Sequence, residues 1–127
     1  MRAGRSTVIF EKPPAIVTSS STVGKKEGEG PLKEAFDYIL EDDAYGEGSW
    51  EKAESELQKS AIAITLEKTG MSAKDIRYLF AGDLLGQNIA SSFGVMDYNI
   101  PLFGLYGACS TCGESLSLGS MAIAGGF

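Results

Sequence analysis

Apolar and polar positions alternate along this chain with two different periods, and each period predicts a different element. The longest helix is predicted to begin after Ser49, a good N-cap, and to end at Gly70. Its apolar side chains recur at helical spacing: Trp50, Ala53, Leu57, Ala61 and Ile64. Two shorter amphipathic helices are expected over residues 31–40, opening at a proline, and over residues 89–96.

Short apolar runs predict the strands. Residues 8–10 and 15–20 are expected to form two strands joined by a turn at Pro13–Pro14. A capping-box turn at 72–75 is predicted to lead into a buried strand over 76–81. Strands alternating with helices indicate an α/β fold in a single domain.

The end of the chain combines a strand, a turn and a helix. A buried strand starts at Pro101, Gly107–Ala108 makes a tight turn, and a helix is predicted to open at Cys109 and run to Ala124. Gly125–Gly126 is expected to stop that helix in the left-handed conformation. A helix so rich in Gly, Ala and Ser has poor intrinsic propensity, so we expect close neighbours to hold it in the middle of the fold.

Two polar segments are expected to be loops. Residues 24–31 resemble a phosphate-binding loop only superficially, because the upstream glycine and the hydroxyl residue after lysine are missing. Residues 41–48 could be imagined as a calcium loop, but they lack the alternating carboxylates of an EF-hand. A solvated turn is the preferred interpretation.

Composition narrows the possible functions of the 127-residue chain. A formal net charge of −6 disfavours nucleic acid as a partner. The chain contains no histidine, which excludes Cys–His chemistry, Ser–His chemistry and histidine metal sites within it. Its two cysteines suit a reducing compartment. Neither a secretory signal nor an apolar run of spanning length is visible, so a membrane role is expected to be peripheral.

Cys109 is the first candidate for chemistry. Unpaired N–H groups at a helix start favour a thiolate and would also bind an oxyanion or a carboxylate. From spacing alone, a small core cysteine remains the ordinary alternative. Cys112, one turn later, is interpreted as a core residue, although the two cysteines fit C-x-x-C.

Asp83 is the second candidate. It follows the predicted strand 76–81, and the carboxyl ends of buried strands are where open α/β sheets place ligand groups. It could instead cap the helix over 89–96, a role that Asn88 could also fill. The ligand-binding and capping interpretations are compatible with each other.

Four separated blocks of the sequence carry a family resemblance. The turn over 106–111, with Gly107-Ala108-Cys109 at its centre, resembles the nucleophile elbow of the thiolase-like superfamily, which includes thiolases and ketoacyl synthases. The longer string is similar to the stage V sporulation protein AD family of spore-forming Firmicutes. The blocks are residues 26–32, 45–46 with 49–54, 81–85 with 91–94, and 104–111 with 114–116.

This resemblance implies a thiolase-like fold, in which two α/β halves stack as a layered αβαβα body that is usually dimeric. It further implies a non-catalytic protein that binds dipicolinic acid, with calcium as a possible companion, for uptake into the developing spore and release at germination. The protein would be a peripheral component of a spore inner-membrane complex with other stage V sporulation proteins. No resident cofactor is implied.

The site that follows from the resemblance consists of Asp83, Cys109, Ser110 and Thr111. The N–H groups at 109–112 would accept one ligand carboxylate, and Asp83 would face calcium or a ring group. Residues 1–127 are expected to be an N-terminal half-domain that stops before the second half, with uncovered apolar faces that promote association. The alternatives are an acyl transferase with Cys109 as nucleophile, and a scaffold that binds no small ligand.

Overall fold

A computed structural model describes residues 2–127, without the side chain of Arg2, and shows a mixed α/β chain. Its elements are β1 (Arg2–Ala3), β2 (Thr7–Val8), β3 (Thr22–Val23), α1 (Lys25–Gly28), β4 (Tyr38–Ile39), α2 (Trp50–Thr69), β5 (Leu79–Ala81), α3 (Ile89–Val95), β6 (Leu102–Gly104) and α4 (Thr111–Ala124). Single 3₁₀ turns cover Lys33–Ala35, Ala73–Asp75, Met96–Tyr98 and Ala108–Ser110. The predicted α/β class is confirmed.

Helix α2 has the predicted ends. The hydroxyl oxygen of Ser49 accepts a hydrogen bond from the Lys52 N–H at 3.3 Å, which satisfies one of the free donors of the first turn. Gly70 has φ +66° and donates its N–H to the Glu67 carbonyl oxygen. The predicted capping box at 72–75 is also present.

The core lies where α2 crosses α3, and small side chains build it. A Cβ placed on Gly94 would be only 2.7 Å from the Ser55 carbonyl oxygen, so the two helix backbones approach closely. The Ser55 hydroxyl donates across the interface to the Ala90 carbonyl oxygen at 2.8 Å. The buried apolar residues are Leu40, Ala53, Ala90, Val95 and Ile100.

The strands form three separate pairs among the described residues. Strands β1 and β2 are antiparallel, whereas β3–β4 and β5–β6 are parallel. Phe80 lies opposite Phe103 in the β5–β6 register, and their rings stack with centroids 4.9 Å apart. Parallel pairing brings the carboxyl ends of β5 and β6 to the same edge, where the Leu105 N–H donates to the Ala81 carbonyl oxygen.

The strand predicted over 15–20 is wrong, and the strand predicted over 8–10 lies instead at Thr7–Val8. Within the described stretch 9–21 no strand forms, and β2 pairs instead with β1. Ile16 is 80% exposed, so its β-branched side chain indicates propensity without a burying partner. The segment runs along α2, where the Ser20 hydroxyl donates to the Ala61 carbonyl oxygen at 2.7 Å.

The helix predicted over 31–40 is also wrong. The chain makes a 3₁₀ turn there and then enters β4, which pairs with β3. The Tyr38 N–H donates to the carbonyl oxygen of Ser21, just before β3, and the Leu40 N–H donates to that of Val23. Asp37 fixes this arrangement by accepting the Ser21 N–H and by forming an ion pair with Lys68 at 2.5 Å. Long-range strand pairing has overridden a locally amphipathic pattern.

The two loop predictions have different outcomes. Residues 25–28 form the short helix α1, which corrects the expected loop over 24–31. The solvated turn over 41–48 is confirmed, since the Asp42 carboxylate accepts the N–H groups of Ala44 and Gly46.

Helix α4 begins later than predicted. A 3₁₀ turn holds residues 108–110, and α4 starts at Thr111 rather than at Cys109. Gly125 keeps a helical conformation, and only Gly126, at φ +86°, is left-handed. Along Thr111–Ala124, all of which the structure describes, no side chain is buried, so the expected central position of this helix is wrong. Across residues 2–127, no helix combines the length and apolar character needed to cross a bilayer.

Candidate functional site

A cavity of about 690 Å³ opens at the shared carboxyl edge of β5 and β6. Its walls are the 79–84 segment, one face of α2, and the residues around the turn that leads into α4. Asp83, Cys109 and Thr111 all line it. The structure therefore brings together three of the four residues singled out from the sequence.

The Asp83 carboxylate is buried and saturated with hydrogen bonds. Only 4% of the surface of Asp83 is exposed to solvent. Oδ1 accepts the N–H groups of Gly86 and Asn88, both at 3.1 Å. Oδ2 accepts the N–H and the hydroxyl of Ser91, both at 2.9 Å. Burial acts to raise the pKa of Asp83, but these hydrogen bonds, those from Ser91 foremost, hold it below its usual value.

Asp83 is thus the residue that caps α3. The alternative cap, Asn88, has a left-handed backbone at φ +73°, and its side chain makes no capping hydrogen bond within the described chain. Gln58 extends the network to α2 by donating from Nε2 to the Ser91 hydroxyl oxygen at 3.1 Å. One carboxylate therefore ties together the loop after β5, the start of α3 and the middle of α2.

Gly82 permits the contact between this loop and the turn before α4. A Cβ at Gly82 would overlap the Leu105 carbonyl oxygen and lie 2.6 Å from the Thr111 methyl group. A residue with a side chain would therefore push the two cavity walls apart.

The turn that carries Cys109 is held by polar contacts on both sides. Ala108 has φ +50°, an uncommon conformation for a residue with a Cβ. The Thr111 hydroxyl oxygen accepts the Gly107 N–H at 3.1 Å. The Ser110 hydroxyl lies 2.6 Å from the Gly107 carbonyl oxygen and equally far from Glu114 Oε1, and it donates its one hydrogen to either.

The structure shows which of the predicted residues in this turn are exposed and which line the cavity. Cys109 is exposed on the cavity wall, as a free thiol. Cys112 is also exposed and also lines the cavity, which corrects its interpretation as a core residue. Ser110 is exposed and lies outside the cavity wall as described, so its hydroxyl shapes the turn.

Glu54 on α2 lines the same cavity and was not singled out from the sequence. Its Oε2 atom is inaccessible to solvent and has no hydrogen-bond partner among the described residues. Burial raises the pKa of Glu54, the nearby charges of Asp83 and Glu51 raise it further, and the Leu84 N–H opposes them. The available signal was a glutamate four residues after Trp50, on the apolar face of the predicted helix.

The chemistry of the cavity is acidic and apolar. No lysine or arginine lines it among the residues that the structure describes. In that same part of the chain, no group of three or more Cys, Asp or Glu side chains is arranged to hold a metal ion. The arrangement offers a flat apolar wall, two carboxyl groups and a thiol.

Comparison with known proteins gives one consistent result. Residues 4–127 match the family model described as stage V sporulation protein AD. The chain is 36% identical over 124 residues to the protein of that description from Bacillus subtilis (strain 168). That alignment covers 98% of this chain but 37% of the relative, so the chain spans little more than a third of the relative's length.

Proposed function

Because this chain belongs to the stage V sporulation protein AD family, a family of sporulation proteins, we propose that it binds dipicolinic acid during spore formation. The ligand would be taken up into the developing spore and released at germination, either alone or as its calcium chelate. The observation that carries this proposal is the single cavity that Asp83, Cys109 and Thr111 share at the ends of β5 and β6.

The cavity suits a small, flat dicarboxylate. A volume of about 690 Å³ lies within the range of small-ligand sites. Phe80 and Leu79 on one wall and Leu116 on another offer apolar surface to an aromatic ring. Of the N–H groups predicted to accept a carboxylate at 109–112, those of Ser110 and Thr111 are donated within the turn to the Gly107 and Ala108 carbonyl oxygens. A ligand carboxylate at this helix start would therefore be left with the N–H groups of Cys109 and Cys112. Ser110 contributes by holding the turn that presents Cys109.

The role of Asp83 is refined by its contacts. An ionised carboxylate has about four acceptor positions, and all four are occupied within the protein. We therefore assign Asp83 the fixing of the cavity wall, with direct coordination of calcium requiring that α3 release it.

The remaining parts of the proposal concern the whole protein. We propose a thiolase-like fold of which residues 1–127 are the N-terminal half, a homodimeric full-length form, and no catalytic turnover. The protein would act peripherally at the forespore and spore inner membrane, together with other stage V sporulation proteins.

Calorimetric titration of dipicolinic acid, with and without calcium, tests the binding proposal. It is done on the 127-residue chain and on the native full-length form, with Cys109→Ala and Asp83→Ala as variants. Asp75→Ala, in an exposed turn away from the cavity, is the control. Saturable binding that the two site variants weaken supports the proposal. Binding that neither changes contradicts this site, and no binding by the folded full-length form contradicts the function.

The acyl-transferase alternative is favoured by one observation, the exposed thiol of Cys109 beside a strained backbone at Ala108. Such an enzyme needs a histidine, which the full-length form would have to supply because this chain has none. Rapid alkylation of Cys109 by iodoacetamide near neutral pH would favour this alternative, and an inert Cys109 would favour binding.

A further inference from the structure

We propose that Glu54 recognises the ligand as a hydrogen-bond donor, presenting a protonated carboxyl group to one carboxylate of the bound dicarboxylate. This inference rests on the proposed function and adds to the site a residue that neither the sequence patterns nor the comparisons assign. It also specifies that the Glu54 carboxyl group is protonated when it contacts the ligand.

The first observation is the position of Glu54. It lies on α2 one turn before Gln58, and both side chains line the cavity. Gln58 is engaged through Ser91, whereas Glu54 Oε2 is buried without a partner among the described residues. An unpaired buried carboxyl oxygen is costly, and each such group in a folded protein calls for an explanation, of which a bound ligand or a proton is one.

The second observation is the charge around Glu54. Asp83 faces it from the loop after β5, Glu51 from the preceding turn of α2, and Cys109 and Cys112 share the cavity from the side of α4. The described lining holds no lysine or arginine to balance these groups. Asp83 keeps its negative charge through four hydrogen bonds, whereas the pKa of Glu54 is raised, so Glu54 is the carboxyl group of the pair that takes up a proton more readily.

The third point is the electrostatic environment that a dicarboxylate ligand meets in this cavity. A bare dianion beside an ionised Asp83 meets repulsion, and no described basic side chain on the wall answers it. A neutral acid removes one negative charge and donates a short, charge-assisted hydrogen bond to a carboxylate. The terminal torsion of a glutamate is soft, so either oxygen can carry the proton toward the cavity.

The test is the pH dependence of dipicolinate binding to the full-length form, followed by calorimetry without calcium between pH 5.5 and 8.5. In the wild type, affinity should fall by up to about tenfold per pH unit once Glu54 ionises in the free protein. Binding at the upper end should take up protons, which two buffers of different ionisation enthalpy reveal. Glu54→Gln keeps a neutral donor, so its affinity should vary much less with pH.

Two further variants sharpen the comparison. Glu54→Ala removes the donor and should weaken binding roughly tenfold or more at every pH. Glu56→Gln is the matched control, because Glu56 lies on the same helix and lines a different cavity, between α2 and α3. It should keep the wild-type pH profile. Circular dichroism of each variant is recorded to check that it is folded.

The outcomes separate this inference from the function on which it rests. If the wild type binds and Glu54→Gln keeps the wild-type pH profile, or Glu54→Ala binds as well as wild type, Glu54 is not the donor although the function stands. If Glu54→Gln abolishes binding and wild-type binding requires calcium, Glu54 is a cation ligand and the donor role is overturned. If the wild type binds at no pH, either without calcium or with it, both proposals fail.

Discussion

Asp83 joins structure and site at the scale of a single residue. It caps α3 through both oxygens and at the same time forms part of the cavity wall. Its hydrogen bonds to the N–H groups of Gly86 and Asn88 close the loop that leads away from β5. Changes at Asp83 are therefore expected to reach ligand binding partly through the shape of the wall.

We expect Asp83→Asn to lower the free energy of unfolding by about 3 kcal/mol. The Asn side-chain NH₂ group would face the buried N–H and hydroxyl groups that donate hydrogen bonds to the Asp83 carboxylate, and donors cannot pair with each other. Urea denaturation of the isolated chain measures this loss. Asp75→Asn, in the exposed capping box, is the control and should cost about 1 kcal/mol. Equal losses at the two positions would contradict the special burial of Asp83.

The same carboxylate predicts a pH dependence of stability. The pKa of folded Asp83 is held below the ordinary value of 3.8. Its stabilising contribution is therefore complete above the unfolded pKa and is lost as the pH falls through the folded pKa. The stability difference between wild type and Asp83→Asn should narrow only below about pH 4, measured by urea denaturation across pH. A difference that narrows near neutral pH would contradict this assignment.

Gly82 is expected to be required for the close contact of the two cavity walls. Gly82→Ala should destabilise the chain by about 2 kcal/mol, since its Cβ meets backbone at Leu105. Thermal unfolding measures the effect. Gly48→Ala, where a Cβ meets nothing within 4 Å, is the control. A Gly82→Ala protein as stable as this control would show that the walls separate without cost.

At the scale of elements, α2 is the support on which the others rest. It packs against α3 through small residues, against β3 through Ser60 and Thr22, and against the cavity through Glu54 and Gln58. Close approach of α2 and α3 depends on Gly94, whose missing Cβ leaves room for the Ser55 backbone.

Two glycine substitutions in helices should therefore have opposite signs. Gly94→Ala should lower the free energy of unfolding by about 2 kcal/mol, because α2 and α3 must move apart. Gly113→Ala in α4 meets nothing within 4 Å and should raise it by up to about 1 kcal/mol through helix propensity. Chemical denaturation of both variants gives the comparison. A stabilising Gly94→Ala would exclude tight packing there.

Elements with local signals could be predicted from the sequence, and elements that depend on distant partners could not. Helix α2 has a capping serine and a terminal glycine, which act within one turn. The end of the 31–40 segment becomes β4 only because β3, about 15 residues earlier, offers backbone groups. Nothing local distinguishes these two situations.

The residues of the candidate site also fall into those that local sequence signals indicate and those that depend on distant partners. Strand ends marked Asp83 and Cys109, and parallel pairing of β5 with β6 brings both to one cavity. The sequence offered for Glu54 only its place on the apolar face of the predicted helix, because its burial and the lack of a partner for its Oε2 atom arise only when α2 lies beside the 82–84 loop. Ser110 has the right position in the sequence, but its hydroxyl is directed to Gly107 and Glu114.

At the scale of the whole molecule, many large apolar side chains remain exposed, and two groups of them lie on α4 and beside the cavity between α2 and α3. On α4, Leu116 and Ile123 are 58% and 60% exposed. Beside the cavity between α2 and α3, Phe93 and Met96 are 65% and 62% exposed. Apolar groups gathered on one helix in this way favour association.

We therefore expect the isolated 127-residue chain to self-associate. Light scattering after size exclusion should give a mass above that of the monomer, and the double variant Leu116→Lys, Ile123→Lys should shift it downward. Ile16→Lys adds the same kind of charge away from α4 and should have little effect. A monodisperse monomer that unfolds cooperatively would contradict the expectation.

The attachment of so many segments to α2 also sets how the molecule opens. Ser20 from the N-terminal segment bonds to the Ala61 carbonyl oxygen, and Tyr98 from beyond α3 bonds to the Lys59 carbonyl oxygen at 2.7 Å. Exposing the amides in the middle of α2 thus requires parts of the chain some 40 residues away on both sides to detach together. Those amides should exchange with deuterium only in global openings, whereas those of the β1–β2 hairpin exchange through local fraying.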